Sequence, residues 1–99
     1  MTFDAHVRRA LDLLPPEIAQ RLENLAVVVE DANPDDPDLF GLFEEEPYLP
    51  AKITIYRLPL EESFPEPDEL EREIRITVLH EVAHYFGIDE ARLDELGYA

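Results

Sequence analysis

The spacing of apolar positions divides the chain into helical and extended stretches. Near the start, Phe3, Val7, Ala10, Leu11 and Leu14 recur every three or four residues. That spacing predicts an amphipathic helix, with Asp4 as a cap near its first turn. Pro15 and Pro16 end it, and Pro16 suits the opening of a second short helix in "PEIAQRLENL". "LAVVVED" follows, a β-branched run of strand length whose near-continuous apolarity predicts an interior strand covered on both faces. "DANPDDPDLFGLFEEEPYLP" then sets Asp, Asn and Pro in turn-forming order, and within it "LFGLFEE" predicts a short strand or bulged hairpin around Gly41.

"AKITIYRLPL" alternates: Ile53, Ile55 and Arg57 fall on one side, Lys52, Thr54, Tyr56 and Leu58 on the other. Pro59 closes this strand and favours an edge position for it. "EESFPEP" has the composition of a loop. Pro67 and Asp68 open a long helix through "DELEREIRITVLHEVAHYF", Gly87 stops it, and "DEARLDEL" predicts a last short helix. The order α-α-β-(β)-β-α-α is that of one α+β domain over residues 1–99, a small mixed sheet with helices packed mainly on one face.

Composition narrows the chemistry. The chain has 99 residues, 45% of them hydrophobic, enough for one core and too few for two. It has no cysteine, so any metal must be held by histidine and carboxylate. The first residues lack the apolar run of a secretory signal, and no segment approaches the ~18 apolar residues of a membrane span. A soluble, cytoplasmic protein is the expectation. A formal net charge of −16 disfavours nucleic acid and anionic membrane as partners. Acidity of this kind ordinarily serves solubility; its functional alternative is attraction of basic peptides or cations. No sequence feature fixes an oligomeric state.

The long helix carries the strongest signal. At roughly 100° per residue, His80 and His84 lie about 40° apart on one stripe shared with Thr77 and Glu73. Val78, Leu79, Val82, Ala83, Tyr85 and Phe86 cover most of the remaining circumference, so the helix is expected to be largely buried. "HEVAH" is the H-E-x-x-H arrangement. Two imidazoles at i and i+4 bind zinc at ~2.0–2.1 Å and leave positions for a third ligand and water. Glu81 then stands beside the metal, where it can take a proton from the zinc-bound water and return it to a leaving amine. The metal lowers the pKa of that water toward ~7 and polarises the scissile carbonyl. Gly87 can take φ > 0 and turn the chain back, bringing Asp89 or Glu90 toward the metal. Glu90 holds the third-ligand position of the extended H-E-x-x-H-x-x-G-x-x-[H/D] pattern, with Asp89 the alternative.

"TVLHEVAHYFGIDEARLDELGY", with "ITIYRLPL" upstream, resembles the small bacterial zincin-like metallopeptidases over the chain from about Leu25 to its end. The resemblance implies a minimal zincin fold with a buried active-site helix. It implies zinc held by His80, His84 and a third side chain, and Glu81 as general base of peptide-bond hydrolysis. The family's third ligand is usually Asp; here that position is Glu90, so Glu90 and Asp89 both stand as candidates.

A zincin usually holds its peptide, or an unfolded protein segment, as an extra strand on the sheet edge, and residues 52–58 are the candidate edge. Lys52, Arg57 and Pro59 equally suit an edge blunted against aggregation. Tyr98, Tyr56 and Arg57 are candidate transition-state stabilisers. Tyr85 is expected in the core and His6 in solvent, while Thr77 is a candidate to orient a histidine. Few residues follow Gly87, so weak peptide affinity and low specificity are expected. The competing reading is a zinc-binding interaction module of the same fold without peptidase activity.

Overall fold

Thr2, rather than Asp4, caps the first helix. Its hydroxyl accepts the Ala5 N–H at 3.1 Å, and α1 runs over Phe3–Asp12. The computed structural model describes residues 2–14, 16–20, 22, 25–88 and 90–95. Beyond α1 the order is α2 (Pro16–Ala19), β1 (Leu25–Glu30), β2 (Gly41–Glu44), β3 (Ala51–Tyr56), α3 (Arg57–Ser63), α4 (Pro67–Phe86) and α5 (Glu90–Glu95). This is an α+β fold built on a three-stranded mixed sheet of order β1-β3-β2. β3 runs parallel to β1 and antiparallel to β2.

The sheet reverses two expectations. The strand placed at the edge, residues 52–58, is instead central over Ala51–Tyr56, and the strand placed in the interior, β1, is an edge. Burial follows that order. Ile53, Thr54, Ile55 and Tyr56 are all buried, whereas β1 alternates between half-buried and exposed positions. Pro59 gives no ground for an edge, because the strand has already ended. Arg57 opens α3, and Pro59 sits in its first turn, where a missing N–H breaks no helical bond. α3 also takes in Glu61, Glu62 and Ser63, the first three residues of the stretch expected to be loop.

Strand pairing places Leu25, Val27 and Val29 beside Ala51, Ile53 and Ile55, with Phe43 and Gly41 beyond. That face packs on Val7, Ala10 and Leu14 of the N-terminal region and on Ile74, Val78 and Val82 of α4. Ile53, Ile55, Leu60, Ile74 and Val78 are wholly buried. Each such side chain contributes roughly 1.5–3 kcal/mol, so a one-residue slip of β3 against α4 would forfeit several at once.

α1 packs across α4 through an Arg9–Glu71 ion pair at 2.9 Å. His6 belongs to that junction and not to solvent: it is 11% exposed, with Nδ1 4.0 Å from Glu71 Oε2. Its amphipathic spacing alone did not reveal this, because α4 supplies the cover.

α4 has defined ends. Pro67 opens it, and Asp68 and Glu69 set negative charge against the positive end of the helix dipole. Gly87 closes it at φ 68°, ψ 27°, the left-handed conformation. The Ile88 N–H donates to the Ala83 carbonyl at 2.8 Å and the Gly87 N–H to that of His84 at 3.1 Å, the paired bonds of a Schellman turn. Among the described residues no helix is long and apolar enough to cross a membrane.

Candidate metal centre and active site

The site is built on the side of α4 next to its buried face. Ile74, Val78 and Val82, four residues apart, anchor the helix in the core. One position round from them, Thr77 and Glu81 face β2. Gly41 makes their close approach feasible: a Cβ there would lie 2.8 Å from Thr77 Cγ2 and 3.2 Å from Glu81 Cγ. The Thr77 hydroxyl donates to the Glu73 carbonyl at 2.8 Å, so it is engaged within its own helix and not with a histidine.

Thr77, His80 and Glu81 form the floor of a pocket of about 340 Å³, and Asp36, Asp38, Leu39, Phe40 and Gly41 form its wall. A larger groove of about 720 Å³ runs between α1 and β1 past Val7, Leu11 and Val27, and none of the predicted site residues lines it.

Glu81 is the unusual group here. It is 9% exposed, and its Oε2 is buried with no hydrogen-bond partner among the described residues. The nearest basic atom is His84 Nδ1 at 3.3 Å, an approach that lacks hydrogen-bond alignment. A buried acceptor left unpaired costs roughly 1–3 kcal/mol, and more when charged. Such an atom is suited to a partner that the described residues do not supply. His80 is half-buried at the pocket floor, and one turn on His84 is 62% exposed.

Two imidazoles and an orphaned carboxylate on one helix suit a zinc ion that retains open positions. Among the described residues no three His, Asp or Glu side chains converge as a complete ligand set. Of the two candidates for the third ligand, Asp89 lies outside the described residues. Glu90 opens α5 just past the Gly87 turn, and its side chain lies outside what is described.

The candidate stabilisers are placed elsewhere. Tyr56 is 3% exposed and its hydroxyl accepts from Asn33 Nδ2 at 2.9 Å. Arg57 donates from Nε and Nη2 to Asp31 Oδ1, at 3.2 and 2.9 Å, and from Nη1 to Glu61. Those bonds, Asp31 first and Glu61 second, raise its pKa above the ordinary guanidinium value. Neither residue lines the pocket, and Tyr98 lies outside the described residues. Tyr85 packs edge-on to Phe43, with centroids 6.0 Å apart, and is half-buried.

The pocket wall was missed in the sequence. Gly41 inside an apolar strand pattern was the available signal for a close backbone approach. The wall itself is an ordered turn. Asn33 Oδ1 accepts the N–H groups of Asp35 and Asp36, at 2.8 and 3.1 Å, and Asp36 Oδ1 accepts that of Asp38 at 3.3 Å. Backbone bonds tie its two ends to the junction of β3 and α3: Tyr56 N–H to the Phe40 carbonyl and Leu58 N–H to that of Asp31, each 2.9 Å.

A family model described as zincin-like metallopeptidase matches residues 22–98, which takes in the sheet, the pocket wall, α4 and the Gly87 turn. The chain belongs to this zincin-like metallopeptidase family. The match begins after α1 and α2, and α1 packs on α4 within the same fold. No curated protein matches the chain.

Proposed function

We propose that the chain is a zinc-dependent peptidase in which His80 and His84 hold the metal, Glu90 or Asp89 completes the set, and Glu81 is the general base. The supporting observation is the buried, unpartnered Oε2 of Glu81 at the floor of a pocket it shares with His80. Zinc, when bound, supplies Lewis-acid polarisation of the scissile carbonyl and acidifies the attacking water. Glu81 Oε2 accepts the proton of that water and passes it to the amide nitrogen as the C–N bond breaks. Its burial fixes the carboxylate so that little reorganisation is needed.

The peptide is proposed to add as a strand along β2, not along 52–58. β2 is the free edge next to α4, and Gly41 at its start stands against Glu81. The test is metal analysis followed by cleavage of a peptide library. His80→Ala and His84→Ala should lose zinc. Glu81→Gln should keep zinc and lose turnover by about 10²-fold or more, the range for a general base. Full cleavage by Glu81→Gln overturns the mechanism, and zinc binding without turnover in the unaltered protein favours the interaction module instead.

A further inference from the structure

We propose that the pocket beside Glu81 selects peptides carrying a lysine or arginine side chain near the bond presented to the site, an inference that rests on the peptidase reading of that site. Asp36 and Asp38 stand exposed on the pocket wall, and among the described residues neither pairs with a cation. The nearest basic side chains in sequence bind other carboxylates: Arg57 pairs with Asp31 and Glu61, and Lys52 with Glu44. Two free carboxylates alone would be ordinary surface. What distinguishes them is that Glu81, whose buried Oε2 has no hydrogen-bond partner among the described residues, lines the same pocket, which points to a ligand entering there.

Leu39 and Phe40, half-buried apolar side chains, line the same pocket and follow Asp38 directly in sequence. Phe40 is braced edge-on by Phe64, with centroids 5.8 Å apart. A Lys or Arg side chain matches this mixed apolar and acidic lining. Its methylenes cover Leu39 and Phe40 while its charged head reaches the carboxylates. An acidic side chain meets repulsion, and an apolar one of equal length gains only the wall. The net charge of −16 draws basic peptides to the whole surface, but position-dependent selection requires Asp36 and Asp38 themselves.

Zinc-loaded Glu81→Gln protein, which should hold peptides uncut, is the binding reagent. The probes are capped octapeptides of Gly and Ala bearing one Arg, Lys, norleucine or Glu at each position in turn. At the favoured position, Arg or Lys should bind at least about fivefold tighter than norleucine, as one or two exposed ion pairs allow. Asn at both positions (Asp36→Asn with Asp38→Asn) should bring that ratio near one while keeping the acceptor that fixes the turn. Equal affinity for Arg and norleucine, a ratio unchanged by the double substitution, or no binding of the Arg peptide overturns the inference. The unaltered enzyme separates this from the parent reading. If nothing is cleaved but the Arg preference holds, peptidase activity fails and the selective pocket stands. Cleavage without preference gives the reverse.

Discussion

Gly87 holds φ 68°, and a Cβ built on it would meet nothing within 4 Å. A side chain there is therefore penalised by backbone conformation alone, by about 1–2 kcal/mol. Gly87→Ala should lower unfolding stability by that amount in denaturant titration, and Gly87→Asn by less, since Asn tolerates the left-handed region. Equal losses would show that the cap acts through something other than backbone angle. Tyr56 separates two roles. As a residue bonded to Asn33, it should cost about 0.5–1.5 kcal/mol of stability on Tyr56→Phe, with the chemical step intact. As a transition-state stabiliser it would cost about 10²–10³ in kcat. The first outcome is expected from its burial away from the pocket. His80, Glu81, His84 and Gly87 were legible in the sequence because their relation is local, fixed by helical spacing. His6 and Tyr56 were not, since a partner distant in sequence decides their burial: Glu71 for one, Asn33 for the other.

At the scale of elements, existence and order could be read from the periodicity, but the strand order could not. β1, the more uniformly apolar run, lies at an edge with Ala26 and Val28 exposed, while the visibly alternating β3 is buried on both sides. Alternation predicts one wet face only if nothing covers it. Here the turn over residues 31–40 is anchored on Tyr56, and Thr54 lies between flanking strands. The β2–α4 contact is equally non-local, and it gives a test. Gly41→Ala places a methyl 2.8 Å from Thr77 Cγ2, a β-branched atom with little freedom to move. Such overpacking should cost about 1–3 kcal/mol and push Glu81 aside, lowering kcat more than zinc affinity. Adding Thr77→Ser removes the opposing methyl and should restore most of the stability in thermal melts. Failure of that rescue would mean the helix does not rest on the strand at this point.

For the whole molecule, a net charge of −16 on 99 residues has two consequences that must be separated. Self-repulsion opposes the compact state, so any cation, specific or not, should raise Tm by screening. A zinc ion held by His80 and His84 adds a different term, because it binds the folded chain and not the unfolded one. At a free concentration about 100 times Kd this linkage contributes about 2.7 kcal/mol. In a domain of this size each kcal/mol moves Tm by about 4–8 °C, so saturating zinc should raise it by about 10–20 °C above the chelated form. Melts run at high salt suppress the screening contribution and leave the specific one. His80→Ala should then abolish the zinc-dependent rise, and Glu81→Gln should preserve it, since that carboxylate is assigned to proton transfer and not to the metal. A rise that survives His80→Ala combined with His84→Ala would place the zinc on surface carboxylates, of which this chain has many, and would remove the metal centre on which the proposed chemistry depends.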